Sequence, residues 1–243
     1  MESLTSKFQA NLVYDFGIGN GNDSANYLAR GFNVVAVDAD PFLCNELKSR
    51  HPLLLGSHLN VVNSVIGSAD YTSSTTSFFR NLDFPHLSST LYSWASRDGG
   101  TIEEIMVEVL PLEYFFRTFG VPFYLKSDIE GAELNLLREL KAFETLPKFL
   151  SVEDCRFGPQ YIEIMKEMGY QKFSIVDQSS TYLQEEFEGQ PLSDGTSGHF
   201  GPWLQTEWHE AETILKVYFA TVRDQSGKRL AAPDRWFDIH GSL

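Results

Sequence analysis

The chain has 243 residues, 42% apolar and 14% aromatic, which supplies one sizeable core and argues against disorder. Its net charge of −14 is the wrong sign for a counterion-displacing grip on DNA or RNA, and no run approaches the roughly 18 apolar residues of a membrane span. Two cysteines, Cys44 and Cys155, without CxxC spacing, make no disulfide framework and read as reduced thiols. With no apolar signal-peptide core near the first residues, a cytoplasmic location is expected.

In chain order, residues 11–16 read as a buried strand that stops at glycines. Residues 22–30 read as a helix with Asn22, Asp23 or Ser24 available as its N-cap and Gly31 as its stop. The β-branched run 32–37 ends in Asp38 and reads as a second strand. Residues 41–49 read as a helix with Pro41 in its first turn, where a missing N–H costs nothing. Strand and helix alternating over about 50 residues predict parallel βαβ units. Residues 59–66 form a third strand candidate, and 68–100 read as a polar excursion with a short hairpin. A helix is predicted at 112–119, a strand at 122–127 and an amphipathic helix at 132–142. A strand at 149–152, a helix at 160–168 and a strand at 172–176 follow. Residues 187–209 lack periodicity and read as a long loop or lid, with the aromatics Phe200, Trp203 and Trp208, inside an insertion at 178–212. The acidic run 185–188 reads as a solvated face. Residues 214–221 read as a closing strand. The expected architecture is one α/β domain over 1–243, with about seven mostly parallel strands and helices on both faces.

Two segments carry chemistry. In Val-Tyr-Asp-Phe-Gly-Ile-Gly-Asn-Gly-Asn-Asp, Gly17, Gly19 and Gly21 end a strand and open a helix. Glycine permits a sharp turn and close approach of a ligand, and a helix N-terminus offers N–H groups to an anion. Asp38, at the end of the next strand, is placed to accept hydrogen bonds from ribose hydroxyls. The spacing is GxGxG rather than the GxGxxG of pyrophosphate cofactors. With Asp15 and Asp38 nearby, it suits a sulfonium nucleoside better than a dinucleotide. Asp15, Gly17, Gly19, Asn20, Gly21, Asp38 and Ala39 are the candidate cofactor residues; a ligand-free tight turn is the alternative.

The second segment is Tyr-Leu-Lys-Ser-Asp-Ile-Glu-Gly-Ala-Glu, 124–133. Asp128 falls at the C-terminal end of a middle strand, where open α/β sheets bind ligands. Asp128, Glu130, Glu153 and Asp154 are expected to gather at one edge and raise one another's pKa, which suits a proton acceptor. Asp128, Glu153 and the loop residue His199 are the candidate catalytic groups, with His209 a further loop histidine. In the structural alternative, Glu130 and Glu133 cap the next helix and Asp128 bonds to loop backbone. Such carboxylates also suit a divalent metal, though none is expected; without HxH or HxxxH spacing, zinc is not expected either.

The 124–133 segment resembles the LKxDxEGxE motif of the FkbM family of methyltransferases. Residues 14–41, Ser88-Ser89 and Ser197-Gly198-His199-Phe200-Gly201 are similar to that family too, so the resemblance spans about 11–222. It implies a class I methyltransferase fold with a C-terminal antiparallel strand, S-adenosylmethionine as cofactor, and O-methylation of sugars or polyketide-like natural products. A small hydroxylated acceptor is therefore expected, such as a sugar, glycolipid headgroup or natural product. An NAD(P)-dependent oxidoreductase and a non-catalytic nucleoside-binding module are the alternatives; GxGxG and the absence of a Tyr-x-x-x-Lys pair count against the first.

Overall fold

A computed structural model describes residues 7–67, 73–183, 186–187, 190–191 and 196–243, with side chains described outside 182–195. The acidic run 185–188 and the start of both the 68–100 excursion and the expected lid therefore fall outside the described side chains. The elements run β1 (Phe8–Phe16), α1 (Asn22–Ala29), β2 (Asn33–Asp38), α2 (Pro41–Arg50), β3 (Leu59–Asn63), β4 (Val65–Gly67), β5 (Thr75–Asn81), α3 (Tyr92–Ala95), β6 (Ile102–Pro111) and α4 (Leu112–Phe119). They continue with β7 (Val121–Ser127), α5 (Glu133–Leu140), β8 (Phe149–Glu153), α6 (Gly158–Glu167), β9 (Lys172–Asp177), the short pair β10 (Glu186–Phe187) and β11 (Gln190–Pro191), α7 (Ala211–Thr221) and β12 (Phe237–Ser242).

The main sheet has seven strands in the order β3-β2-β1-β7-β8-β12-β9. All pair in parallel except β12, which lies antiparallel between β8 and β9. This is the mostly parallel seven-stranded sheet with an antiparallel C-terminal strand that the resemblance implies. Successive side chains of a strand face opposite layers, and the central strands bury both. Tyr14, Phe16, Val35, Val37, Leu125 and Leu150 pack with α4–α7. Val13, Val34, Ala36, Tyr124 and Phe149 pack on the face that carries α1 and α2. The Tyr14 hydroxyl crosses the first layer to donate to the carbonyls of Phe115 (2.8 Å) and Gly120 (2.6 Å), tying β1 to the end of α4.

Three sequence expectations are corrected. Residues 214–221 are helical, not a strand: the buried positions of α7 and its C-cap, Ala211, Ile214, Tyr218 and Val222, recur every three to four residues, and that spacing outweighs β-branched composition. The closing strand is β12, whose Asp-Ile-His-Gly core carries no alternation because neighbours cover both faces. In the polar excursion, β5 finds its partner outside the expected boundary: β6 pairs with it antiparallel and with β4 in parallel. The expected strand 59–66 is thus divided between two sheets.

The α1 N-cap is Gly21 in a left-handed conformation (φ 73°) with no side-chain cap, rather than Asn22, Asp23 or Ser24. The Asp23 carboxylate instead accepts from Ser197 N (2.7 Å) and Oγ (2.8 Å), and the Ser24 hydroxyl donates to Asp15 (2.5 Å). Pro41 does occupy the first turn of α2, capped by Asp40, whose carboxylate accepts from Phe42 N (2.8 Å). Both cysteines are free and buried. No helix among the described residues is long and apolar enough to cross a membrane.

Tyr14→Phe removes a donor from two carbonyls while keeping the ring contacts. Urea unfolding is expected to show a loss of about 1–3 kcal/mol, the scale for stranding a buried hydrogen-bonding group, and an unchanged stability would show that this bond does not hold β1 to α4.

Candidate active site

The glycine loop leaves β1 through Gly17 (φ 87°), where a Cβ would lie 1.7 Å from the carbonyl oxygen of Asp128. No other residue allows the two chains to pass so closely. Gly17 N donates to Val37 O (2.9 Å) and Asp128 N to Phe16 O (2.8 Å), so the ends of β1, β2 and β7 are bonded into one edge. Asp38 closes the loop from β2: its carboxylate accepts from Ile18 N and Asp40 N, each 2.8 Å. Burial pushes its pKa up to about 6 against those N–H bonds.

Behind this edge lies the ammonium of Lys126, 3% exposed. It is 3.4 Å from Asp23, 3.5 Å from Asp128 and 3.8 Å from Asp15. Burial opposes its charge, but Asp128, Asp23 and Asp15 outweigh that, and its pKa is raised well above the usual lysine value. Sequence reasoning missed this residue as a centre of the site; the available signal was a lysine inside the apolar run of β7.

A cavity of about 620 Å³ opens at the same edge. Gly17, Gly19, Asp38 and Ala39 line it, with Val37 and Leu43 as apolar wall, and so do Asp128, Glu130 and Glu153. Part of its cover comes from the chain between β5 and β6: Ser89 Oγ donates to Glu130 O (2.7 Å) and Ser89 bridges to Phe79. More comes from residues 223–237.

Glu130 sits at φ 52°, a left-handed conformation unusual for a non-glycine residue. Its carboxylate is gripped by Trp94 Nε1 and Arg97 Nη2, each 2.8 Å. Burial and then Asp128 push its pKa up to about 8. Burial, followed by Asp128 and Glu130, raises Glu153 well above the carboxylate range, and the Cys155 thiol lies 3.1 Å from it. Glu133, by contrast, serves its own loop, accepting from Ile129 N (2.8 Å) and Gly131 N (3.0 Å). Asp154 accepts from Gly158 N and Tyr218 OH and faces Arg223 at 3.4 Å.

Not every expected residue reaches the cavity. Asp15 is fully buried behind it with Ser24 and Lys126, and Asn20 and Gly21 lie outside its lining. His199 is 6% exposed and also outside the lining. The lid expected over 187–209 is corrected for its described part. Phe200 stacks on Tyr124 (4.7 Å) and meets Tyr27 (5.0 Å), Trp203 meets Phe32 and Phe123, and Trp208 meets Phe149. None of residues 196–209 lines the cavity. They complete the α1–α2 face of the sheet, because aromatic side chains there fill apolar area that no helix covers. Trp94, Arg97 and Arg156, which sequence reasoning did not single out, do line it.

A sheet of this order, with a glycine turn on its first strand and an acid ending its second, defines a nucleoside-cofactor enzyme of the class I methyltransferase type. The methyltransferase FkbM domain matches residues 15–182, and the chain belongs to that family. It is an S-adenosylmethionine-dependent methyltransferase. No curated protein matches the chain. Among solved structures, precorrin-6y C5,15-methyltransferase from Geobacter metallireducens is similar at 8% identity and TM-score 0.37, over 98% of this chain and 83% of that one. Precorrin 8w decarboxylase from Methanobacterium thermoautotrophicum is similar at 11% and 0.39, over 99% and 86%. The methyltransferase domain of METTL16 is similar at 10% and 0.39, over 98% and 74%.

The raised carboxyls fix the pH dependence of stability. Asp15 and Asp238, pushed up to about 7 by burial, and Glu130, up to about 8, bind protons more tightly folded than unfolded. Their stabilisation is present below the unfolded value near 4 and is lost as pH rises through 7 to 8. Urea midpoints of the cofactor-free protein are expected to fall steadily from pH 5.5 to 8.5; a flat or rising profile would show that these acids are ionised without penalty.

Proposed function

We propose that the chain methylates a hydroxyl of a small molecule, with cofactor and acceptor sharing one cavity. The observation that carries this reading is the continuity of that cavity from Gly17, Gly19 and Asp38 to Asp128, Glu130 and Glu153. The residues fit S-adenosylmethionine. The Asp38 oxygens each keep acceptor capacity for a ribose hydroxyl beyond their backbone bonds. Val37 and Leu43 offer an apolar wall for the base, and acidic groups suit a cationic cofactor. When bound, the cofactor supplies a methyl group carried on positive sulfur.

Methylating a hydroxyl releases its proton, and a chain group must take it. Asp128 is our choice. Its backbone abuts Gly17, while its side chain remains 40% accessible within the cavity lining. Glu153, which lines the same cavity, is the reserve acceptor in its deprotonated form. His199, buried off the cavity, takes no part in this scheme. No metal is assigned. Glu130, Glu153 and Cys155 have ligand atoms within 4.8 Å of one another, but Glu130 already accepts from Trp94 and Arg97, and Glu153 faces the Cys155 thiol.

Two substitutions separate the roles. Asp38→Ala is expected to weaken S-adenosylhomocysteine binding by about 1.5–3 kcal/mol, as measured by calorimetry. Unaltered affinity would remove the ribose assignment. Asp128→Asn should leave that affinity within about threefold and lower turnover by roughly 10²–10⁴-fold once an acceptor is in hand. If turnover stays at the wild-type level in that variant, and falls instead in Glu153→Gln, the proton goes to Glu153.

A further inference from the structure

The same cavity is also lined by Arg97, Arg156, Arg223, Arg229 and Arg235, from three separate stretches of chain. Half of the chain's arginines gather there and no lysine does, in a protein whose net charge is −14. Three are paired with acidic side chains: Arg97 with Glu130 (2.8 Å), Arg223 with Asp154 (3.4 Å) and Arg235 with Asp177. Arg156 and Arg229 are not. The Arg156 guanidinium lies 5.1 Å from the Trp94 ring centroid, and the Arg97 guanidinium 4.7 Å from the same ring. Arg229 donates to the carbonyls of Ala232 and Arg235. Neither meets a carboxylate among the described residues. Arg156 also holds a left-handed backbone (φ 79°), so the turn after β8 presents this side chain from a strained conformation.

Guanidiniums that line a cavity without a carboxylate partner leave N–H donors open to a ligand. Arginine rather than lysine suits a planar or tetrahedral oxyanion, which its fork grips with two parallel N–H bonds. Stacking on Trp94 fixes the plane of that fork beforehand, as cation–π contact does. The arginines line a cavity instead of a surface stripe, and the acidic net charge repels a polyanion, so the fit is to a small molecule.

We propose that the methyl acceptor is a small organic acid or phosphate ester, held by its anionic group at Arg156 and Arg229 while its hydroxyl faces Asp128. This rests on the cavity being the methyl-transfer site. The shared chemistry is an oxyanion, and carboxylate and phosphate sources are separated by the test.

The full chain, saturated with S-adenosylhomocysteine, is titrated calorimetrically with malate and with ribose 5-phosphate. At least one is expected to bind, more weakly as salt is added. Affinity should fall about 10–100-fold in the Arg156→Gln/Arg229→Gln double variant. S-adenosylhomocysteine affinity should stay within about threefold in that variant. Binding of malate alone assigns a carboxylate, of ribose 5-phosphate alone a phosphate. Arg156→Gln alone, at an exposed side chain, gives a smaller loss and keeps the test open if the double variant misfolds. No binding of either anion to the wild type, or equal binding to the variants, overturns the proposal, as does tighter binding of a single-stranded RNA oligomer. Anion binding without any S-adenosylhomocysteine binding would instead sink the methyl-transfer reading and leave the arginine site standing.

Discussion

The ammonium of Lys126 is the point on which the site turns. Lys126 and Asp15 are direct partners across the parallel pair β1–β7. Their side chains emerge on the same face, with Asp23 from the first turn of α1 and Asp128 from the end of β7 completing the ring of acids. One buried cation thus joins the strand before the glycine loop, the helix after it, and the loop that carries the proposed proton acceptor. Asp23 extends the chain of contacts to Ser197, so the late aromatic segment is anchored to the same charge. Such a cluster adds little net stability, because desolvation offsets most of the attraction. Removing one member, however, leaves the others charged and unpaired in the interior, at a cost of several kcal/mol. Its value lies in fixing relative positions.

From that anchor the geometry of the cavity follows. The carbonyl of Asp128 passes Gly17 at a distance that only a missing Cβ permits. Just beyond, the chain turns through Glu130 and Gly131, both at positive φ. Glu133 holds that turn by binding two of its N–H groups, and Ser89, Trp94 and Arg97 hold it from above. The small sheet β4-β6-β5 and the ion pair between Arg80 and Asp40 (2.9 Å) place this cover over the edge of the main sheet.

Much of the scaffold was legible because local rules and tertiary demands agree there. The runs ending at Phe16, Asp38, Ser127 and Glu153 are buried on both faces, as their unbroken apolar character implies, and they are parallel strands. Pro41 and Gly31 punctuate helices where their backbone preferences place them. At Asp23 and Ser24, local chemistry and the tertiary structure disagree. Either is a good N-cap, yet long-range charge claims one and a buried carboxylate the other, leaving the cap to a glycine. His199 looked like loop chemistry and is buried, while Phe200 and the tryptophans after it pack on a sheet face that no helix covers.

The βαβ frame, the glycine turn, the acid at the end of β2 and the carboxylates after β7 were legible from the chain, since each depends on residues within a few positions of one another. Long-range packing set the rest: β12 inserts between β8 and β9, Lys126 collects three acids, and arginines from around 97, 156 and 223–235 share one cavity with Asp128. Those outcomes depend on contacts between segments tens to more than a hundred residues apart, whose closure is set by packing of whole layers and leaves no periodic trace in the chain.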